Sequence, residues 1–389
     1  MGKFAGRGVM VVALTALGAM AALVPVHAVT AGVREPVSPD PALRAAREAR
    51  VTLPLPDLAA QVVMTSVPGI TLSHLSSAQL RALRPGGVIV FGDNYASRIQ
   101  LARWIRSVTL AGLDGDVTRP RPLLSIDQEG GVVKRITDAP PTRSHPQLGA
   151  TGRPALTRAQ GRMTAALLAR LGIQLDLAPV ADLDLGPRHL MRERSFGADP
   201  ARVGSQVASF IAGLRSGGGA SSVKHFPGFG GASVNSDDAL ARITRTRTQL
   251  EADLTPFRSA IAADADSIMV SHGIYTAIDR RHPASTSTAM YRLLREELGY
   301  QGIAITDSLN AAGFAAATRD TAVAGCVPAL AAGADIVLLT GTLAEAAACR
   351  ARIIAAVRTG ALPRARLNEA AERVLTLKAR LGLLTTDLD

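Results

Sequence analysis

Short apolar runs alternate with longer segments of mixed polarity along most of the chain. The runs are rich in valine, isoleucine and leucine, and most are only six or seven residues long. Uninterrupted runs of this kind are typical of parallel strands that helices cover on both faces. The eight runs comprise residues 61–67, 87–92, 122–127, 173–180, 221–227, 267–272, 302–307 and 335–340.

The segments between these runs have helical spacing. In one of them Met163, Leu167 and Leu171 form a predicted apolar stripe that ends at Gly172. The C-terminal segment repeats the pattern. Eight strand and helix units in alternation predict an α/β fold, a closed (β/α)8 TIM-type barrel in a single catalytic domain. An open doubly wound sheet is the alternative architecture.

The N-terminal segment has the pattern of a secretory signal peptide. Lys3 and Arg7 precede an apolar run over residues 9–26, which ends in small residues at Ala28. The late Pro25 and the proline-rich polar stretch behind it favour cleavage over retention as a membrane anchor. We therefore expect a signal peptide over residues 1–28, a linker over 29–50 that enters a first short helix, and the barrel domain over 51–389. The mature protein is expected to be secreted, extracellular or cell-wall associated, without stable membrane insertion.

Composition narrows the possible partners. Aromatic residues make up 3% of the 389 residues, too few for a protein built from base-stacking platforms, so a nucleic-acid partner is not favoured. The formal net charge of +11 would attract anionic polymers such as cell-wall material. Export makes a disulfide between Cys326 and Cys349 plausible, and two buried thiols are the other interpretation.

Polar residues follow several of the predicted strands. In a barrel the loops after the carboxyl ends form one rim, so these side chains should collect around a single mouth. Each alone could be structural, but together they suit a polar, hydroxyl-rich substrate and a reaction that develops charge. The residues are Asp127, Lys224, His225, His272 and Asp307 at strand ends, and Arg192, Glu193 and Arg194 in the loop after the fourth strand.

Three chemistries could use such a rim. Lys224 as a Schiff-base amine would need a desolvated site with few charged neighbours, which the adjacent His225 does not favour. The seven histidines are scattered without HxH or HExxH spacing, so no metal and no other cofactor is expected. Glycoside transfer needs an aspartate nucleophile and donors for the sugar hydroxyls, and this rim supplies both.

Six motifs in order resemble those of family 3 glycoside hydrolases. The resemblance covers roughly residues 55–385 and is greatest to the single-barrel β-N-acetylglucosaminidase (β-N-acetylhexosaminidase) branch. Six ordered motifs at strand ends are far more specific than one. The motifs are DQEGG at 127–131 with Arg135, LAPVAD at 177–182, RSF at 194–196, KHFPG at 224–228, VSH at 270–272 and ITDSLN at 305–310.

The resemblance implies a role for each matching position. Asp307 is expected to be the nucleophile that forms a glycosyl-enzyme, after which water releases the sugar with the β configuration retained. Glu129 is expected to define a turn rather than touch substrate. The residues expected to bind the terminal sugar are Asp127, Arg135, Arg194, Lys224, His225 and His272.

The sequence departs from the family pattern in the loop that carries the proton shuttle. After KHFPG the branch usually has G-H-G, and then an Asp-Ser-His in which the histidine is the acid/base and the aspartate orients it. This chain has Phe229 in the first motif, and Asn235-Ser236-Asp237 in the second. Both members of the usual dyad are therefore replaced.

Several interpretations of this change remain open. Asp237 could be the acid/base, with its pKa raised by Asp238 and by partial burial, as carboxylates act in most retaining glycosidases. The protein could instead bind sugar without turnover, or use phosphate as an acceptor that needs no deprotonation. The favoured prediction is a secreted retaining exo-glycosidase. Its carbohydrate partner is expected to be cell-wall glycan, from which it removes terminal β-linked N-acetylglucosamine or a related sugar.

Overall fold

The computed structural model describes residues 40–116, 118–186 and 190–384. Its strands are β1 (Val63–Ser66), β2 (Gly87–Val90), β3 (Leu123–Ile126), β4 (Gln128–Gly130), β5 (Val133–Lys134), β6 (Leu175–Asp176), β7 (Ala220–Phe226), β8 (Arg242–Ile243), β9 (Ser267–Val270), β10 (Ile274–Tyr275), β11 (Ile303–Ser308) and β12 (Ile336–Leu339). Eight of them close into a parallel barrel in the order β1, β2, β3, β6, β7, β9, β11 and β12. Each predicted run overlaps one barrel strand.

Pairing of the first and last barrel strands closes the sheet, as Met64 of β1 lies opposite Leu338 of β12. The predicted (β/α)8 barrel is thus confirmed, and the open sheet is wrong. The helices are α1 (Pro41–Thr52), α2 (Leu55–Gln61), α3 (His74–Leu83), α4 (Arg98–Leu113), α5 (His145–Thr151), α6 (Pro154–Leu171), α7 (Pro200–Ser216), α8 (Arg247–Ala262), α9 (Thr288–Arg292), α10 (Ala312–Thr318), α11 (Ala322–Ala332), α12 (Leu343–Thr359) and α13 (Arg364–Arg380).

Two apolar layers hold the barrel together. The outer layer lies between the strands and the surrounding helices. The inner layer fills the barrel with side chains such as Met64, Leu123 and Ile336, as barrels of this class require. Val374 and Leu377 of α13 pack against the inner layer, so α13 closes the end of the barrel where the strands begin. Access to the interior is left at the opposite end.

The buried face of α6 differs from the predicted stripe. Met163 is 44% exposed, and Gly172 ends the helix with a φ of +86°. The buried face carries small residues because α6 lies very close to α7: a Cβ on Gly161 would be 2.6 Å from the Phe210 carbonyl oxygen. The close contact between α6 and α7 at Gly161 determines which face of α6 is buried. The positions of the large apolar residues do not indicate that face.

The stretch predicted as a linker, residues 29–50, overlaps α1. The side chain of Asp40 caps this helix by accepting from the backbone N–H of Ala42. Arg47 and Arg50 of α1 form ion pairs with Glu372 of α13, at 3.0 and 3.2 Å. Residues 41–50 of the predicted linker are therefore helical and packed against α13. The predicted signal peptide and the first part of the linker lie outside the described residues.

A disulfide joins Cys326 of α11 to Cys349 of α12, which resolves the two interpretations in favour of the bridge. The bridge links two consecutive outer helices.

Among the described helices, none has both the length and the apolar character that crossing a bilayer would need.

Lys378 is a buried amine at the closed end of the barrel. It lies on α13 and is fully inaccessible, and its Nζ donates to Oε1 of Gln61 at 2.6 Å. Burial lowers the pKa of Lys378 from 10.5 to about 7. Between about pH 7 and 10.5 the unfolded chain therefore binds more protons than the folded protein, and stability should rise with pH over this window.

We predict that Lys378→Met removes this rise. The unfolding free energy of the wild type should increase relative to the variant, by on the order of a few kcal/mol, between pH 7 and pH 10. Urea unfolding at a series of pH values measures the difference. Lys134→Met, at a partly exposed lysine of β5, is the control and should leave the slope unchanged. Parallel stability curves for wild type and Lys378→Met would contradict the assignment.

Candidate active site

A pocket of about 380 Å³ opens at the end of the barrel where the strands finish. Its floor is the last apolar layer of the barrel interior, formed by Ile89, Leu177, Met269 and Leu338. The polar residues of its walls come from the carboxyl ends of different strands and from the loops that follow them, as expected for a site at this end of a barrel. They include Asp127, Arg135, Arg194, Lys224, His225, Asn235, Asp237 and Asp307.

Asp127 follows β3 and lies between two cations. The Nζ of Lys224 is 2.6 Å from its Oδ1, and Nη2 of Arg135 is 3.3 Å from its Oδ2. Burial alone would raise the pKa of Asp127, but these two charges outweigh it and hold the pKa below the ordinary value. Asp127 is therefore an ionised acceptor at the pocket wall, suited to sugar hydroxyl groups.

Glu129 binds Lys224 and a further cation, Arg194, from behind the pocket wall. Its Oε1 is 2.7 Å from Nζ of Lys224, and both of its oxygens accept hydrogen bonds from Arg194, at 2.7 and 3.0 Å. The side chain is 1% exposed. Although burial opposes ionisation, Lys224 and Arg194 hold the pKa of Glu129 well below its usual range. Sequence reasoning assigned Glu129 only to a turn, so its role as an ionic support was missed.

His225, which ends β7 with Phe226, is oriented by a buried aspartate. Its Nδ1 lies 2.6 Å from Oδ2 of Asp182, whose other oxygen accepts from the backbone N–H groups of His225 and Phe229. Asp182 can only accept here, so Nδ1 carries a proton and Nε2 is left as an acceptor. Nε2 is 3.4 Å from Nη2 of Arg194. The imidazole thus presents a fixed Nε2 at the pocket wall.

Asp307 lies near the end of β11 and reaches the pocket half-exposed. Its Oδ1 accepts the backbone N–H of Ser308 at 2.8 Å. The hydroxyl of Ser308 is bonded in turn to Oγ1 of Thr340, beyond β12, at 2.6 Å. These contacts fix the carboxylate while leaving its second oxygen free of protein hydrogen bonds within the described part of the chain.

His272, which was predicted to bind substrate, does not line the pocket. It is 1% exposed, and its Nε2 donates to the Ser308 carbonyl at 2.7 Å while its Nδ1 is 2.8 Å from the hydroxyl of Ser285. Burial lowers the pKa of His272, so the ring is neutral. The predicted role is corrected: the ring supports the backbone next to Asp307. The prediction placed His272 correctly near the end of a strand, but its side chain does not point into the pocket.

Asp237 faces Asp307 from a loop that follows β7. The loop rests on the start of α10, where Ala312 N–H donates to the Asp237 carbonyl at 3.0 Å and Gly313 N–H donates to that of Ser236 at 2.9 Å. Glycine is needed at 313 because a Cβ there would lie 2.4–2.5 Å from loop carbonyl oxygens. The residues after β11 therefore also position the Asp237 loop.

The surroundings of Asp237 favour its protonated form. Asp237 is exposed at its outer edge. Its partial burial against the pocket walls and the electrostatic repulsion from Asp307 raise the pKa of Asp237 above the ordinary value. The amide of Asn235 opposes this shift, with Nδ2 3.3 Å from Oδ2 of Asp237. A carboxyl group with a raised pKa that shares a pocket with a second carboxyl group is an arrangement that general acid catalysis uses.

Two further buried groups went unnoticed in the sequence. The Nδ1–H of His145 donates to the Arg194 carbonyl at 3.1 Å, and its ring stacks on Phe196 with 4.2 Å between centroids. Burial lowers its pKa to about 4, so it is neutral. Asp176 accepts from the Gln128 N–H at 3.1 Å, and burial raises its pKa well above the usual value. No sequence motif indicates that His145 or Asp176 is buried.

Within the described ranges, no group of three or more histidine, cysteine, aspartate or glutamate residues is placed to hold a metal ion. The cations of the site, Arg135, Arg194 and Lys224, are instead matched by carboxylates. The pocket is therefore charged and strongly hydrogen-bonding without an excess of either sign, as suits a neutral polyol.

Comparison with known proteins identifies the family. Residues 57–377 match the domain described as "Glycosyl hydrolase family 3 N terminal domain". The chain belongs to glycosyl hydrolase family 3. It is similar to proteins named "Beta-hexosaminidase" from Methylococcus capsulatus, 33% identical over 66% of this chain and 76% of the relative, and from Nitrosospira multiformis, 34% identical over 71% and 79%.

Solved structures agree with this family assignment. A family 3 beta-N-acetylglucosaminidase from a Paenibacillus species matches with a TM-score of 0.79 and 31% identity, over 85% of this chain and 63% of that one. A beta-N-acetylhexosaminidase from Beutenbergia cavernae matches with a TM-score of 0.77 and 30% identity, over 84% of this chain and 98% of that one. The family 3 resemblance of the ordered motifs is confirmed.

We predict that Glu129→Gln weakens both the fold and the site. Neutralising Glu129 leaves Arg194 and Lys224 with one buried anion fewer, so the variant should be roughly 3 kcal/mol less stable. Loss of fixed donors in the pocket should lower kcat/KM about tenfold or more at a temperature where the variant stays folded. Chemical unfolding and steady-state kinetics measure the two effects.

Glu193→Gln is the matched control, because Glu193 is exposed in the loop next to Arg194. It should change neither stability nor activity appreciably. Equal behaviour of the two variants would contradict the supporting role of Glu129.

Proposed function

We propose that the protein is a retaining exo-glycosidase that removes terminal β-linked N-acetylhexosamine, with N-acetylglucosamine as the leading substrate. The observation that supports this most is the placement of Asp307 and Asp237 in one blind pocket with the sugar-binding residues. A pocket closed by the barrel core receives the end of a glycan rather than its middle. The names of the beta-hexosaminidase relatives support the choice of sugar.

In the first step Asp307 is the nucleophile. Its free carboxylate oxygen attacks the anomeric carbon, the bond from that carbon to the leaving oxygen breaks, and Asp237 gives its proton to that oxygen. Asp127, Lys224 and His225 hold the ring hydroxyls during this step. Arg135 and Arg194 help to keep the surrounding carboxylates ionised.

In the second step Asp237 acts as a base. It takes a proton from water as the water oxygen attacks the anomeric carbon, and the bond to Asp307 breaks. The sugar leaves with the β configuration retained, and both carboxyl groups return to their starting states. Asp237 thereby does the work that a histidine does in the family pattern, with its raised pKa in support.

The natural setting is proposed from the sequence. The N-terminal pattern supports secretion, and the net charge of +11 supports residence near anionic wall polymers. Peptidoglycan, which presents β-linked N-acetylglucosamine, is the proposed source of substrate. Fractionation of the native host with an antibody against the barrel domain tests this placement.

We predict that Asp307→Ala abolishes release of 4-nitrophenol from its β-N-acetylglucosaminide, while Asp237→Ala lowers kcat/KM by about 10²–10⁴ for a poor leaving group. An activated leaving group such as 2,4-dinitrophenol departs without a proton. It should rescue Asp237→Ala and leave Asp307→Ala inactive. Steady-state rates on a series of aryl glycosides measure this.

Asp238→Ala, at the neighbouring exposed carboxylate, is the control and should stay close to wild type. A wild type that binds the sugar but cleaves no aryl glycoside would establish a binding protein instead. Release of the sugar 1-phosphate in phosphate buffer would establish phosphorolysis, which the balanced charge of the pocket does not favour.

We predict that the pH profile follows the residue at position 237. The proton donor must be protonated, so kcat/KM should fall as pH rises through the pKa of Asp237. In Asp237→His the donor would titrate nearer the histidine value of about 6.5, so the alkaline limb should move to higher pH. An unchanged alkaline limb in Asp237→His would exclude Asp237 as the acid.

A further inference from the structure

A groove of about 660 Å³ lies on the outside of the barrel, between α3 and α4. Its walls come from the facing sides of the two helices, with Arg81 on α3 and Arg103 on α4. The segment before α3 closes one end of the groove, where Nε2 of Gln100 donates to the Ile70 carbonyl at 2.6 Å. Among the described residues, none lines both this groove and the catalytic pocket, so the two are separate sites.

The groove carries positive charge without a balancing acid. Neither α3 nor α4 contains an aspartate or glutamate, and no acidic side chain lines the groove in the part of the chain that the structure describes. Arg81 and Arg103 are both exposed, and neither guanidinium has an ion-pair or hydrogen-bond partner among the described residues. In the catalytic pocket, by contrast, the cations are matched by carboxylates. Two such guanidinium groups on opposite walls favour a ligand with negative charge.

The lining of the groove also contains a hydrogen-bond donor without an acceptor. Trp104, the single tryptophan of the sequence, lines the groove and is 2% exposed. Its indole Nε1 is buried and has no hydrogen-bond partner within the described ranges. A buried donor without an acceptor costs free energy, so such groups are rare in folded proteins. An acceptor oxygen from a ligand would remove that cost, so the indole and the two arginines favour the same kind of ligand atom.

The rest of the lining suits a carbon chain better than a ring rich in hydroxyl groups. Ile70 and Leu110 supply apolar surface and are 45% and 46% exposed. The amide of Gln100 is already occupied, because its Oε1 accepts from the Ala96 N–H at 2.8 Å and its Nε2 donates to backbone carbonyls. A ligand with many hydroxyl donors would therefore find few acceptors in the groove. A ligand whose polar atoms are mainly acceptor oxygens fits its donors.

We propose that this groove binds a phosphodiester-linked polyol, an anionic polymer with one negative charge per unit. Its phosphate oxygens accept from Arg81, Arg103 and the indole of Trp104, while its carbon segments contact the apolar lining. The lining of α4 extends ten residues beyond Gln100 to Leu110, about 15 Å along the helix axis, so two phosphates can meet the two arginines. A lipid surface fits less well, because the indole donor lies in a recess between two helices.

This proposal goes beyond the glycosidase function and does not depend on turnover. It gives the protein a second, non-catalytic contact with anionic polymer on the outer side of the barrel, away from the catalytic pocket. Binding there would keep the enzyme near its proposed wall substrate while the pocket stays open to glycan ends.

Intrinsic fluorescence tests the groove directly, because Trp104 is the only tryptophan in the sequence. Titration with poly(glycerol phosphate) at low salt should change the Trp104 emission saturably, and salt at about 1 M should largely abolish the change. Arg81→Gln and Arg103→Gln should each weaken binding about fivefold or more. Arg106→Gln is the matched control, since this exposed arginine of α4 is outside the groove lining, and its binding should stay within about twofold of wild type.

Trp104→Phe tests the indole donor, with binding followed by calorimetry because the fluorescence signal is lost. This variant should bind the polymer roughly threefold to tenfold more weakly. Cleavage of an aryl β-N-acetylglucosaminide should stay within about twofold of wild type in the two groove arginine variants. Loss of polymer binding is thereby distinguished from failure of the proposed glycosidase function, in which wild type and variants alike would leave the aryl glycoside intact.

Three results would overturn the proposal. Equal losses in Arg103→Gln and Arg106→Gln would mean general attraction to a basic surface rather than binding in the groove. Polygalacturonate bound as tightly as poly(glycerol phosphate) would exclude selection for phosphodiesters. Binding to phosphatidylglycerol vesicles without binding to the polymer would assign this face of the barrel to a lipid surface instead.

Discussion

The site depends on burying positive charge beside an apolar barrel core. Lys224 is almost fully buried, and such an ion is stable there only because Asp127 and Glu129 both lie within 2.7 Å of its Nζ. Glu129, on β4, extends the same network to Arg194, and so joins β4 and β7 to the segment between β6 and α7. The balance of charge holds three separate parts of the chain in register around one pocket.

This network explains how the loop that carries the proposed proton donor can vary while the rest of the site stays intact. Asp237 and Asn235 lie on a loop held mainly by backbone hydrogen bonds to α10, outside the buried ion pairs. Substitutions on that loop alter titration at the mouth without removing a partner from Lys224 or Arg194. The proposed sugar-binding residues and the proposed proton donor can therefore change independently.

The sequence predicted the barrel and most of the residues at its mouth. The barrel follows from the regular alternation of apolar runs and helical segments, and the mouth residues follow from their position at strand ends. Apolar runs located all eight strands, and their carboxyl ends brought Asp127, Lys224, His225 and Asp307 together. The direction in which a side chain points and the extent of its burial were harder to predict. His272 also ends a strand but points behind the pocket, and Glu129 supports cations that lie far away in sequence. Such burial depends on long-range packing, which no local pattern encodes.

The helix that seals the far end of the barrel limits the order of events in the pocket. Because α13 and the apolar interior block the other end within the part of the chain that the structure describes, a sugar released by the proposed reaction must depart by the way it entered. The remainder of the glycan has to withdraw first. Under the proposed exo action, the enzyme would remove one sugar per encounter and release the glycan each time, and accumulated monosaccharide would compete for the same entrance.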